Sequence, residues 1–395
     1  MFSAWYHENR KTTLGWLEHL HQFPEVGFEE TETAAFAAGV LRQHGYDVAC
    51  GIGGTGIVAT LHGMAADEPH SRTIAFRAEL DALPMTEKTG LGYASTRPGK
   101  FHGCGHDGHT VVALTAAAYL AGRRNLEGTV RFIFQPAEEL LTGARAMLAD
   151  GLFERFPCDE IYALHNLPGL PAGTVGVPAT AALASADDIN VTLRAKGSHG
   201  SMPHTGTDAI AAAAHFVTSV QQAATRVIDA RDAGVISFGV FRGGTVRNVL
   251  PDEVRLEGTM RTTSTSARTR LEGLLRNAAK ATELLFDVQM DCSVEKVAPV
   301  TVNDPDCVAA VHEAAARVVG SENVLGNARS LMASEDFSEL CARVPGAYFF
   351  IGQSGQMPHH PEYVFDPGVI PIGAAIFADL AQQRTSRKLG LRPAH

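Results

Sequence analysis

Long hydrophobic runs are missing from this 395-residue chain, and no stretch approaches the roughly 20 apolar residues that a membrane span needs. Paired cysteines are missing too. The six cysteines, at positions 50, 104, 158, 292, 307 and 341, form no CxxC. A disulfide scaffold is not expected in a chain this large, which points to a reducing cytoplasm. Excess positive charge is also absent. Lys and Arg number 33 against 43 Asp and Glu, and the net charge of -10 argues against a nucleic-acid surface. The first residues, Met1 to Glu8, lack a basic start followed by an apolar run, so no signal peptide is expected. No internal repeat or low-complexity tract is evident. What is there is the composition of a globular protein, 45% hydrophobic and 19% charged, long enough to suggest two domains.

Helical periodicity runs over residues 3–21 and again over 30–44. Strand-like runs at 57–61, 73–79, 129–134 and 161–165 alternate with helical runs at 110–120 and 138–148. That alternation predicts an α/β architecture around a mostly parallel sheet. From about residue 187 the pattern changes to strand (189–195), helix (208–224), strand (234–240), strand (253–260), helix (266–284) and strand (286–293). This βαββαβ order is a split βαβ, or ferredoxin-like, unit. A helix at 307–319 and a strand at 347–351 then return to α/β. The expected organisation is a discontinuous domain of residues 1–186 and 298–395 with a smaller domain, 187–297, inserted into it.

Gly51-Ile52-Gly53-Gly54-Thr55-Gly56 fits the GxGxxG pattern of dinucleotide sites. That mechanism needs a helix to start at the glycines and present its N-terminus to the pyrophosphate. The residues that follow, Ile57-Val58-Ala59-Thr60-Leu61, are β-branched and read as a strand. A hairpin turn is expected instead.

Candidate chemistry gathers in four places. Phe101-His102-Gly103-Cys104-Gly105-His106-Asp107-Gly108-His109 packs three His, a Cys and an Asp into nine residues, on what reads as a glycine-rich loop ahead of a helix. His and Cys are the natural ligands of borderline metals. Gln135-Pro136-Ala137-Glu138-Glu139 follows an apolar strand, a position where one acid could bind a metal while the other moves protons. The bland alternative is a pair of acids in the first turn of a helix, favoured by its dipole. His165 and Asn166 close another strand, and Pro358-His359-His360-Pro361 follows a later one. Each is weak alone. Their conjunction at several strand ends is strong.

Four segments resemble the metallopeptidase family of aminoacylases, hippurate hydrolases and indole-acetyl-amino-acid hydrolases. They are Phe76-Arg77-Ala78-Glu79-Leu80-Asp81-Ala82-Leu83-Pro84, residues 104–109, residues 136–139, and His359-His360-Pro361. The inserted region is similar as well, through Gly197-Ser198-His199-Gly200-Ser201-Met202-Pro203-His204 and Asn248-Val249-Leu250-Pro251-Asp252. The resemblance spans nearly the whole chain. It departs at Glu79, where Asp is more typical.

The resemblance implies a zinc-exopeptidase-like catalytic domain with an inserted lid and dimerisation domain. It implies two divalent ions per subunit, Zn, Mn, Co or Ni, held by Cys104, His106, Glu139, His165 and His359, with Cys104 bridging. His360 is the alternative to His359. Glu138 would be the catalytic base, and Asp81 would orient a ligand His by accepting its other N–H. His199 would supply an oxyanion donor from the partner subunit of a homodimer. Arg261 and Asn248 would recognise the substrate carboxylate. The expected activity is hydrolysis of N-acyl amino acids. A dipeptidase or aminopeptidase on the same ions, a cysteine hydrolase built on Cys104, and a non-catalytic binding protein are the rival readings. Neither nucleic acid nor membrane is an expected partner.

Overall fold

A computed structural model gives the fold and describes residues 1–385 apart from 67, 69, 70, 124, 125 and 327. The chain divides into two compact units. One comprises Met1–Ala182, Val302–Arg329 and Asp336–His395, and the other Leu183–Thr301 and Ser330–Glu335. No helix among the described residues is long and apolar enough to cross a membrane.

The larger unit is built on an eight-stranded sheet in the order Asp47–Ile52, Gly56–His62, Thr129–Gln135, Thr73–Glu79, Glu160–Pro168, Gly346–Gln353, Val175–Gly176, Val324–Leu325. Its four central strands, from Thr129–Gln135 to Gly346–Gln353, are mutually parallel. They are almost wholly buried, as strands covered on both faces must be. Phe76 centres the core, with ring centroids 4.6 Å from Phe377, 5.4 Å from Phe132 and 6.1 Å from Tyr162. The helix His106–Ala121 is buried along residues 106–120 and packs against Phe2–Gln22, Val369–Arg384 and the strand Thr73–Glu79. A helix that is apolar nearly all round belongs in such a central place.

Register decides where the chemistry goes. Glu79 lies opposite Gln135, and His165 opposite Phe350. The parallel strands therefore deliver Asp81, Glu138 and His165 to one edge, beyond or near their carboxyl ends, where open α/β sheets place ligands.

Two local expectations change. The helix predicted from residue 110 begins at His106, so two of the three loop histidines ride on its first turn. Gly105 caps it at φ 93°, and a Cβ there would sit 2.5 Å from the Tyr363 hydroxyl. The helix predicted over 138–148 exists only as Gly143–Ala149, and Glu138 and Glu139 stand in a turn before it. The turn folds back so tightly that a Cβ on Gly143 would lie 1.6 Å from the carbonyl oxygen of Pro136. Local apolar spacing does not register that contact. The glycines at 51–56 form the hairpin between Asp47–Ile52 and Gly56–His62, which pair antiparallel. The two-residue strands Val175–Gly176 and Val324–Leu325 carry too little pattern to be read from sequence.

The smaller unit contains the βαββαβ succession. Its antiparallel sheet runs in the order Gly234–Gly243, Glu253–Thr262, Ala186–Arg194, Gln289–Ala298. The helices Ala209–Val227 and Thr265–Phe286 bury Phe216, Val220, Leu271 and Leu275 against it. Both helix starts are capped by side chains. Asp208 accepts from the amides of Ile210 and Ala211, and Ser264 from that of Ala267.

Candidate metal centre

The parallel strand ends and the first turn of His106–Ala121 bring the ligand candidates together. Cys104 Sγ lies 3.4 Å from His165 Nε2. His359 Nε2 lies 3.3 Å from Glu139 Oε2, and His106 Nε2 lies 3.7 Å from Glu138 Oε2 and 4.0 Å from Glu139 Oε1. Two triads share the thiol: Cys104, His106, His165 and Cys104, Glu139, His359. In each, the three donor atoms lie within 4.8 Å of one another.

The outer partners of the imidazoles fix which nitrogen faces the cluster. His106 Nδ1 is 3.0 Å from the Asp81 carbonyl oxygen and 3.2 Å from Asp81 Oδ1, both acceptors, so Nδ1 carries the proton. His165 Nδ1 likewise donates to the Asn166 carbonyl at 2.6 Å. Each Nε2 then points inward, and on the neutral ring it carries the lone pair. His109 differs. Its Nδ1 is 2.9 Å from Glu79 Oε2, and its Nε2 is 2.7 Å from Asn166 Oδ1, so both nitrogens are engaged away from the cluster. Of the two histidines at 359 and 360, only His359 reaches Glu139; His360 Nδ1 accepts from the Glu362 amide.

Electrostatics favour a cation here. Burial pushes the Cys104 thiol well above its usual range, and the carboxylates of Glu139 and Glu138 push it further. Burial and the neighbouring His109 lower His165 to about 3. Burial opposes the charged form of His106, yet the Asp81 hydrogen bond and the Glu79 charge win and raise it to about 10. His106 Nε2 and Glu139 Oε1 are buried without any hydrogen-bond partner. Such orphans are costly in a finished protein interior. A divalent ion held in each triad would give each of these atoms a partner, and its charge would offset the penalty on the thiolate. A sulfur shared between an N,N set and an N,O set fits a pair of divalent ions.

A model of peptidase family M20/M25/M40 matches residues 75–383. The chain belongs to that family. It is 36% identical over 363 residues to the hippurate hydrolase of Campylobacter jejuni, covering 92% of this chain and 94% of that one. It is 34% identical over 362 residues to the N-acetyl-L-cysteine deacetylase of Bacillus subtilis, covering 91% and 85%. Among solved structures, a dinuclear metal binding peptidase of the M20 family from Bacillus subtilis matches with a TM-score of 0.84 and 31% identity, over 95% of this chain and 98% of that chain.

The remaining candidates of this M20/M25/M40 member lie in the smaller unit. His199 pairs in register with Val249, which sets it beside Asn248. His199 is exposed, and its Nδ1 accepts from Ser201 Oγ at 2.9 Å. Arg261 stands near the far end of the strand Glu253–Thr262, with Nη1 3.2 Å from the Met260 carbonyl oxygen.

Several residues around the metal centre had no role assigned from sequence. Arg77 is fully buried and pairs with Glu79 and with Asp336 Oδ1 at 3.1 Å. Glu79, the departure from Asp, has the reach to meet both Arg77 and His109. Asn166 links His109 to the Tyr363 hydroxyl, to which its Nδ2 donates at 2.5 Å. An arginine inside an apolar strand was a readable signal for Arg77. Asp336 and Tyr363 arrive from distant sequence and gave none.

Proposed function

We propose that this chain hydrolyses the amide bond of N-acyl amino acids to a carboxylic acid and an amino acid, with Glu138 as the general base. The observation that carries this reading is the pair of triads around Cys104, with the Glu138 carboxylate 3.7 Å from His106 Nε2. The hippurate hydrolase and N-acetyl-L-cysteine deacetylase relatives supply the substrate class. Cys104, His106, Glu139, His165 and His359 hold the ions, and this S, N, O donor set suits Zn, Mn, Co or Ni. Divalent ions bound there polarise the amide carbonyl and acidify water.

Glu138, 6% exposed, takes a proton from the attacking water and returns it to the departing nitrogen. Asp81 does two things. It fixes the ring of His106, and its Oδ2 accepts the amide N–H of Glu139 at 2.9 Å. The larger unit is the catalytic domain, and the smaller one is a lid and dimerisation domain.

Arg261, whose fork suits a carboxylate, recognises the amino-acid end of the substrate with Asn248, and His199 donates to the oxyanion. Eight residues of extended strand, about 27 Å, separate Glu253 from Arg261. His199 and Asn248 lie by the Glu253 end, where Gly197 donates to Asp252. One copy's His199 and Asn248 therefore stand far from its own Arg261. This supports a homodimer in which His199 and Asn248 act on the partner subunit's substrate. The strand Gly234–Gly243 has a free outer edge among the described residues, with Val235 and Phe241 exposed, as such pairing requires.

The test is hydrolysis of benzoyl- and acetyl-amino acids by metal-loaded wild type and Glu138→Gln, with and without chelator. Chelation should abolish activity and Mn or Zn restore it. Glu138→Gln should lose at least ~10³-fold in kcat while still binding ions. Activity that survives both treatments would overturn the reading.

A further inference from the structure

The segment that carries Glu138 and Glu139 is not regular structure. It runs from Pro136 to the start of Gly143–Ala149, and two of its non-glycine residues stand in the left-handed region, Ala137 at φ 49° and Leu141 at φ 53°. Such conformations are strained for any residue with a Cβ and persist only when their surroundings impose them. Within the segment, Leu141 N–H donates to the Glu138 carbonyl at 2.7 Å and Gly143 N–H to the Ala137 carbonyl at 3.2 Å. Three carboxylates from elsewhere hold it from outside.

Glu30 Oε1 accepts the Ala137 N–H at 2.8 Å, Asp81 Oδ2 accepts the Glu139 N–H at 2.9 Å, and Asp336 Oδ2 accepts the Ala144 N–H at 2.9 Å. All three acids have 0% exposure. A buried carboxylate is costly unless its oxygens are bonded, and bonds from N–H to an ionised acceptor are among the stronger ones. The anchors are themselves anchored. Glu30 Oε2 accepts from Thr55 Oγ1 at 2.6 Å in the hairpin. Asp336 Oδ1 accepts from Gln135 Nε2 at 2.7 Å and from Arg77 Nη2 at 3.1 Å. Residues ahead of Glu30 also fill the space behind the turn, since a Cβ on Gly27 would lie 3.0 Å from Ala137 Cβ and 3.0 Å from Leu140 Cδ1.

We propose that Glu30 and Asp336 are positioning residues that aim Glu138 by tying down the strained backbone on either side of it. Glu30 bonds the residue immediately before the base, and Asp336 closes the far end of the turn. The proposal rests on Glu138 being the base. Displacing a reacting group by about 1 Å costs on the order of 10²-fold in rate, so loosening the tether should appear in kcat and not in KM.

The test uses the full chain loaded with ions and an N-acyl amino acid substrate. Glu30→Met keeps the volume and removes the acceptor. It should lower kcat ~10–100-fold with KM within ~3-fold and the bound-ion content unchanged by elemental analysis. Glu30→Gln should recover to within ~3-fold of wild type, because its Oε1 still accepts from Ala137 while the Thr55 hydroxyl turns to accept from its amide. Asp336→Asn has no such escape, since its amide nitrogen must face a donor on either side, and should resemble Glu30→Met. A wild-type kcat in Glu30→Met, an equal loss in Glu30→Met and Glu30→Gln, or a loss cured by excess ions would each overturn the proposal. If Glu30→Met does not fold, Thr55→Val frees one oxygen of Glu30 and should lower kcat ~3-fold at constant KM; no change would overturn it. Glu138→Gln belongs in the same panel. Full activity there would sink the base assignment itself, whereas an inactive Glu138→Gln beside a fully active Glu30→Met would sink the tether alone.

Discussion

The two units hold most of their candidate residues differently, the exposed His359 of the larger one apart. In the larger one, Asp81, His106 and Glu138 are at most 6% exposed, and the ring of His106 and the turn bearing Glu138 are fixed by bonds from other elements. In the smaller one, His199 and Asn248 are exposed. His199 finds only its near neighbour Ser201 for its Nδ1, and Arg261 reaches a carbonyl one residue away. The difference teaches that the candidates of the larger unit are mostly held by bonds from distant elements of their own fold, whereas those of the smaller unit are bonded only locally among the described residues.

That contrast breaks most directly at His199. His199→Ala should lower kcat by about 10²–10³-fold, the usual worth of an oxyanion donor. Mixing His199→Ala chains with Glu138→Gln chains, each inactive, should then restore activity to about a quarter of the wild-type sites through hybrid dimers. No recovery on mixing would place His199 in its own subunit's site and remove the division of labour between copies.

Arg261 sharpens the comparison at a lower level. Arg261→Ala should raise KM for acyl amino acids by roughly 10–100-fold and leave neutral amides nearly untouched, measured as paired Michaelis curves. An equal effect on both substrate types would take the carboxylate away from Arg261.

The smallest effect concerns how firmly the larger unit is tied. His21 is buried, with Nδ1 2.7 Å from Asp107 Oδ2 and Nε2 3.3 Å from Glu87 Oε1. Burial opposes its charge, yet these two carboxylates raise it to about 9. A histidine raised on folding stabilises fully below its ordinary 6.5, and that contribution disappears as pH climbs through about 9. It is worth up to about 3 kcal/mol. Thermal melts should show wild type losing stability from pH 6.5 to 9.5, with His21→Gln much flatter over the same range. A wild-type curve as flat as the variant's would mean that this pair ties nothing.

The sequence made the gross plan legible for reasons that differ by region. The βαββαβ succession could be read because each of its strands and helices is long and half-buried, so period 2 and period 3.6 both show. The motif around Cys104 and the strand-end position of Glu138 were legible because tight spacing of ligand-type residues has few other uses. The turn bearing Glu138 departs from the helix that the apolar spacing of residues 138–148 predicts, and its amides are bonded by Glu30, Asp81 and Asp336, each far away in sequence.

Composition and local pattern, by themselves, determined an α/β chain with an inserted split βαβ unit and a concentration of Cys, His and Glu at strand ends. They could do so because burial periodicity and ligand chemistry are properties of neighbouring residues. Tertiary structure alone decided that His106 presents Nε2 while His109 spends both nitrogens on Glu79 and Asn166. It also decided that His359 and not His360 meets Glu139, and that three buried carboxylates converge on one strained turn. Those outcomes depend on hydrogen bonds between residues up to about two hundred positions apart, and only the assembled fold brings such partners within 3 Å of each other.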